Sequence, residues 1–170
     1  MQRRQYRNYA LIVLGVCTAL RISDLLRMTW NDVYDKQRKA FHTHVTVAER
    51  KTGKTKVVAL NKQAIKALRL YFPHKRGDYI FSNNMKTPRA ISRVQAWRIM
   101  KAAVKTLGII GKVALHSLRK SMAYHAWIGG MASPVVIMDI LNHNNYETTR
   151  RYLGVAQDDR DAVYMGLAFF

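Results

Sequence analysis

The chain is poor in acid. Ten Asp and Glu stand against 29 Lys and Arg among 170 residues, a formal net charge of +19 at pH 7. The shortage is patterned: nine Lys or Arg and no acid lie between Glu49 and Asp78, and nine more with no acid lie between Asp78 and Asp139. Such an excess sets up a strong positive field and points to a polyanionic partner, nucleic acid ahead of an anionic membrane surface. Solubility alone does not explain it, because balanced charge would serve solubility as well. Cysteine is nearly absent too. Cys17 stands alone, which excludes an internal disulfide and favours a reducing, cytoplasmic setting. A bilayer-length apolar run is also missing. The opening MQRRQYRNYALIVLGVCTAL imitates a secretory signal, and LGVC a lipoprotein cleavage site. Yet Val16 is larger than the small residue such a site needs before its cysteine, and Tyr9–Leu20 is too short to span a bilayer as a helix. The expectation is a buried first helix and no membrane partner. No repeat, low-complexity tract or dividing linker interrupts the chain. With 49% apolar residues, the length suffices for one domain with a substantial core.

Periodicity supplies the elements. Residues 5–20 read as a buried helix, and Ser23 or Asp24 starts a short helix through Met28. KAFHTHVTVAER alternates, with Phe41, Thr43, Val45 and Val47 on one face and His42, His44 and Thr46 on the other, which predicts a strand. KTGK turns the chain into a second strand, Thr55–Leu60, making a hairpin. Residues 61–71 read as helix and DYIFS as a short strand. Ser92 caps a helix to about Leu107, ended by Gly108, with Val94, Trp97, Met100, Val104 and Leu107 as a core stripe. His116–Ile128 reads as a helix stopped by Gly129 and Gly130. Ser133 and Pro134 open another that ends near Asn142, and residues 145–153 form the last. The fold class is mixed α+β, mostly helical with a small antiparallel β-sheet.

Several stretches carry side chains suited to phosphate chemistry. Arg21 lies in ALRISDLL, where an apolar helix gives way to a polar break. His116 and Arg119 lie three apart in HSLRK and face the same way on a helix. Two guanidiniums can clamp the non-bridging oxygens of a phosphodiester under attack, and a histidine beside them can move a proton. Lys51, on the hairpin turn, can reach a DNA backbone and protonate a leaving oxygen; the bland reading is a solvated basic turn. In LNHNNYETTRRYL, His143 and Tyr152 lie nine apart. A tyrosine hydroxyl has a pKa near 10 and needs activation or positive charge to attack, which Arg150, Arg151 and the clamp can supply. Taken singly, each of these residues is better explained by a surface charge, a satisfied histidine or a packing role.

Taken in order along the chain, these stretches resemble the tyrosine recombinases, or phage-type integrases, from about Leu11 to Val155. ALRISDLLRMTWNDV is similar to the first arginine motif of the family, with Arg21 as its arginine and Asp24 as the supporting acid. RKTGK is similar to the hairpin lysine motif at Lys51. HSLRKSMAYH carries His-x-x-Arg at His116 and Arg119. LNHNNYETTRRYL resembles the closing motif, with His143 as second histidine and Tyr152 as nucleophile. Each motif is weak alone; four in the right order are specific. The resemblance implies the tyrosine recombinase catalytic-domain fold. It also implies a mechanism: Tyr152 attacks a DNA phosphate, forms a 3′-phosphotyrosyl bond and releases a 5′-hydroxyl protonated by Lys51. Arg21 and Arg119 stabilise the transition state, His116 transfers a proton and His143 hydrogen-bonds the phosphate. No metal or other cofactor is implied. The partner is double-stranded DNA, on which the protein forms a homo-oligomer, a tetramer. Two departures stand out. Asn142 occupies a position where the family usually shows glycine, with a local backbone effect expected. The expected organisation is one catalytic domain over 1–170, without the N-terminal core-binding domain that family members usually carry.

Rival readings are weaker. Ser117-Leu118-Arg119-Lys120 fits S-x-x-K, Ser82-Asn83-Asn84 resembles S-x-N and Lys51-Thr52-Gly53 is K-T-G, but their order is reversed relative to penicillin-binding hydrolases. GKT at Gly53–Thr55 lacks the earlier glycine of a P-loop, because position 48 is Ala48. His42 and His44 have no cysteine pair to complete a zinc site. The serious alternatives keep the fold: a non-catalytic DNA-binding module, or a relaxing enzyme of topoisomerase IB type. Tyr146 lies too close to His143, and Tyr164 sits in an acidic setting, so Tyr152 is the preferred nucleophile. The apolar end MGLAFF is expected to dock on its own domain or on a neighbour.

Overall fold

The computed structural model describes residues 3–50, 53–154 and 164–166. These form two compact units, Met1–Met122 and Ala123–Phe170.

In the first unit, α1 (Arg3–Thr18) packs along α4 (Lys62–Tyr71). Ala10, Leu11 and Leu14 bury its inner face. Arg7 is buried as well, and its Nη1 donates to the Ser82 carbonyl at 2.9 Å. The helix stops where the Thr18 hydroxyl turns back to the Leu14 carbonyl (2.6 Å) and Ala19 takes a left-handed φ of 49°. Short helices α2 (Ile22–Leu25) and α3 (Trp30–Val33) follow. Asp32 Oδ2 accepts both the N–H and the hydroxyl of Thr29, at 2.6 and 2.8 Å, which fixes the start of α3. Trp30 then packs on Tyr71 and Phe72, and Phe72 on Tyr34 and Phe41. The helix α5 (Arg93–Thr106) begins at Ser92, whose hydroxyl accepts the Gln95 N–H as expected.

The sheet differs from the expected single strand over 41–47. Two separate antiparallel pairs form: β1 (Tyr34–Asp35) with β2 (Ala40–Phe41), and β3 (His44–Ala48) with β4 (Thr55–Ala59). Phe41 belongs to the first pair, so the alternation breaks at His42 and Thr43. Within β3 the pattern holds, with Val45 and Val47 buried and His44 and Thr46 exposed. The β3–β4 register runs from His44 opposite Ala59 to Ala48 opposite Thr55, which places the KTGK turn at its open end. DYIFS is not a strand. Ile80 donates to Met28 on one side, and Phe81 accepts from Ile91 on the other. The segment is therefore held by isolated bridges rather than a ladder. The stripe assigned to the core of α5 is also displaced. Its buried face is Ala96, Ile99 and Met100, whereas Val94, Trp97 and Leu107 are exposed. Trp97 instead underlies the Lys101 ammonium at 5.5 Å. Periodicity located the helix but placed its buried face one small residue away.

The helix α6 (Leu115–Ile128) begins in the first unit. Within that unit, Gly15 of α1 lies against Leu118: a Cβ on Gly15 would stand 2.6 Å from Leu118 Cδ1. In the second unit, α7 (Pro134–Ile140) is capped by Ser133, and α8 (Tyr146–Leu153) by Asn145 and a left-handed Gly154. Ala123, Ile137, Leu141, Thr149 and Leu153 form its buried interior. No helix among the described residues is long and apolar enough to cross a membrane.

Candidate active site

Arg21 follows the strained end of α1. Its extended backbone presents a carbonyl that accepts Asp24 and Leu25 N–H, both at 2.9 Å, and so opens α2. No side chain caps α2; the expected capping role of Ser23 or Asp24 is not the one found. Asp24 is buried and its Oδ1 accepts the Arg50 N–H at 3.1 Å, tying α2 to the hairpin. The Arg21 guanidinium meets Glu49, with Nη1 2.6 Å from Oε2. Glu49 is buried to 1% exposure. The sequence reading did not single out Glu49; the available signal was an acid standing last before a long acid-free run and two residues before Lys51. Lys51 itself lies outside the described residues. The turn that carries it closes through Glu49 N–H to the Lys54 carbonyl (3.0 Å) and Gly53 N–H to the Glu49 carbonyl (2.8 Å).

The first turns of α6 bring His116 and Arg119 to the same place. Arg119 is 3% exposed, and its Nη1 donates to the Ala19 carbonyl, the group exposed by the left-handed turn before Arg21. His116 stands one turn earlier and faces outward. Partial desolvation, then the charges of Arg119, Lys120 and Arg21, hold its imidazole below the ordinary histidine value of 6.5. The structure thus brings Arg21, His116 and Arg119 together. The serine of the rival S-x-x-K pattern is otherwise occupied: Ser117 Oγ accepts the Ala114 N–H at 3.1 Å.

In the second unit, Asn142 adopts a φ of 47°. That conformation accounts for a glycine preference at this position, and asparagine is among the few other residues that tolerate it. The turn ends α7 and delivers His143, whose N–H reaches the Met138 carbonyl at 3.1 Å. His143 Nδ1 shares a hydrogen bond of 3.0 Å with the buried Thr149 hydroxyl. The imidazole then meets the half-buried Tyr152 ring edge-on, at 4.7 Å between centroids and 74° between planes. Arg150 and Arg151 are arranged differently from the expectation that they serve the tyrosine. Both engage Glu147 on the helix surface, at 3.4 and 3.7 Å, because they stand three and four residues after it on α8. Tyr146 and Tyr164 are exposed. Among the described residues, no group of three His, Cys, Asp or Glu side chains is placed to hold a metal ion.

Comparison with known proteins bears on the family and the fold. The family model described as Phage integrase family matches residues 1–158. The chain is 31% identical over 159 residues to "Probable integrase/recombinase YoeC" of Bacillus subtilis (strain 168), covering 93% of this chain and 83% of that protein. It is 28% identical over 167 residues to "Tyrosine recombinase XerD" of Corynebacterium glutamicum, covering 94% of this chain and 52% of that protein, so it spans about half the length of that relative. Among solved structures, the XerH site-specific recombinase bound to palindromic difH substrate in a post-cleavage complex aligns with a TM-score of 0.76 at 16% identity, over 97% of this chain and 47% of that one. At that identity the likeness speaks to the fold.

Proposed function

The chain belongs to the phage integrase family, and from that premise we propose that it cuts and rejoins double-stranded DNA through a covalent 3′-phosphotyrosyl intermediate. The observation that carries the proposal is the convergence of Arg21, His116 and Arg119 where α1 ends and α6 begins. Two guanidiniums and a neutral imidazole match a phosphodiester in its pentacovalent state. Each guanidinium offers several N–H donors to the non-bridging oxygens, which gain charge in that state. An imidazole held below its usual pKa is neutral at pH 7 and free to accept a proton.

The roles follow from the chemistry. Tyr152 Oη bonds to phosphorus as the bond to the 5′ oxygen breaks. Its proton passes toward His116, and Lys51 gives a proton to the departing 5′ oxygen, which leaves as a hydroxyl. His143, fixed by Thr149, donates to a phosphate oxygen. The phosphotyrosyl ester keeps the energy of the broken bond, so attack by a 5′-hydroxyl reverses the step and frees Tyr152. Exchange between two duplexes requires four strand cuts, which assigns a tetramer to the working assembly. The net charge of +19 fits a DNA partner, and the single cysteine fits a cytoplasmic setting.

The test is covalent trapping. Incubated with nicked suicide DNA and resolved on a denaturing gel, the protein should give a shifted band that Tyr152→Phe abolishes without losing DNA binding. Binding with no band from either protein would favour a non-catalytic DNA-binding module.

A further inference from the structure

We infer that Glu49 is a positioning residue for the phosphate site, holding the inner edge of the Arg21 guanidinium so that its outer edge faces DNA. The inference rests on the reading of Arg21 as a phosphate ligand. Three observations lead to it. Glu49 is buried, and a buried carboxylate is costly unless a cation and hydrogen bonds compensate it. Its Oε2 lies 2.6 Å from Arg21 Nη1, an ion pair at close range. The Nη1 atom is itself shielded from solvent, whereas the Arg21 side chain as a whole keeps 22% exposure. The solvent-facing part of Arg21 is therefore not the part that Glu49 holds. A guanidinium is a rigid planar fork, so fixing one edge fixes the direction of the other.

The backbone around Glu49 makes the carboxylate a firm anchor. The Glu49 N–H and carbonyl close the hairpin turn through Lys54 and Gly53, and the next N–H, of Arg50, is held by the buried Asp24. Glu49 thus sits at a braced point between α2 and the turn. Its charge is not what the reaction uses: negative charge grows on the phosphate in the transition state, and a second anion behind Arg21 opposes it. The useful contribution is direction. That separates two substitutions. Glu49→Gln keeps an oxygen acceptor for Nη1 and loses only the charge. Glu49→Ala frees the guanidinium to rotate.

The experiment is single-turnover formation of the covalent adduct at saturating suicide DNA, for wild type, Glu49→Gln and Glu49→Ala. DNA affinity is measured in the Tyr152→Phe background and folding by thermal denaturation. A second substrate carries sulfur in place of the bridging 5′ oxygen; its thiolate leaves without protonation, so it no longer depends on Lys51. Glu49→Ala is expected to slow adduct formation by about tenfold to a hundredfold, the scale for a misdirected catalytic group. Its affinity should stay within about threefold of wild type, and the defect should persist with the sulfur substrate. Glu49→Gln should recover the rate to within about threefold. The inference is overturned if Glu49→Ala reacts like wild type, if glutamine is as damaging as alanine, or if sulfur abolishes the defect, which would place the effect at Lys51. If Glu49→Ala does not fold, Glu49→Asp takes its place, since it keeps the charge and withdraws the carboxylate by one methylene. Failure of the wild type to form any adduct would refute the proposed reaction instead.

Discussion

Replacing Gly15 by alanine isolates the contact that seats α6 on α1. The added Cβ would lie 2.6 Å from Leu118 Cδ1, 3.3 Å from Leu118 Cβ and 3.4 Å from Cγ. Carbon atoms in contact rest at about 3.5–4.0 Å, so turning the tip of Leu118 aside is not enough and the helix must give. Overpacking of this kind costs about 1–3 kcal/mol. Alanine in a helix regains about 0.8–1.0 kcal/mol over glycine, which leaves a net loss of about 0–2 kcal/mol and hides the effect in a single variant. A double-mutant cycle with Leu118→Ala removes the propensity term, because it appears on both sides. Leu118→Ala removes the 2.6 Å and 3.4 Å contacts but keeps the Cβ at 3.3 Å, so Gly15→Ala should be nearly neutral or mildly stabilising there while destabilising or leaving unchanged the wild type, a coupling of about 1–2 kcal/mol. At about 2–4 °C per kcal/mol for a chain of this size, thermal or denaturant unfolding resolves it. His116 and Arg119 flank Leu118, so adduct formation should fall with Gly15→Ala as well. A gain in stability of equal size in both backgrounds would refute the contact.

Other consequences are as direct. Arg119→Lys loses the fork that reaches the Ala19 carbonyl, and a point charge cannot serve both that carbonyl and a phosphate; adduct formation should fall by about a hundredfold or more with DNA affinity nearly kept. His116 is held below 6.5 in the folded protein, so the unfolded chain binds more protons once the pH drops through 6.5. Stability should therefore decline as pH falls from that point toward the lowered folded value, and more in wild type than in His116→Gln; parallel melting curves across that window decide it. Asn142→Val places a branched side chain at a φ of 47° and should cost about 1–2 kcal/mol, read as a lower melting temperature together with slower adduct formation.

The helices were legible because their ends are written in local chemistry. Ser92, Ser133 and Asn145 each accept an N–H three residues on, and Gly108 and Gly154 each supply the left-handed exit. What the sequence could not give was set by tertiary partners. The buried face of α5 depends on which side meets the core, and Ala96 wins over Trp97 because the tryptophan finds a cation outside. DYIFS reads as a strand by composition, yet its neighbours on either side take one bond each. The candidate site was legible as residues and order, since His116 and Arg119 share a helix face by spacing alone. Glu49 was legible only as the last acid before a basic run beside Lys51; that it meets Arg21, 28 residues away, is set by the tertiary fold.

The phosphate site proposed for this chain must also fold without its anion, and Arg119, Arg21 and His116 meet that requirement in different ways. Arg119 is the most enclosed, and its Nη1 donates to a backbone carbonyl, a dipole that lowers the cost of burial. Arg21 keeps part of its surface in water, and a full carboxylate balances its inner edge. For His116, partial desolvation and then the neighbouring cations disfavour the protonated form, which opposes a third positive charge. Had all three been neutralised by acids, a phosphate would meet no net attraction; had none been, mutual repulsion would push the helix carrying Arg119 away from the turn carrying Arg21. The compromise leaves a site that is positive but not saturated, set in a chain whose remaining cations lie largely at the surface. Binding should accordingly weaken steeply with salt through counterion release, each neutralised phosphate adding to the slope. Measured as a function of salt, the affinity of Arg21→Ala should show a slope lower by about one phosphate contact, and neutralising several exposed lysines should flatten it further.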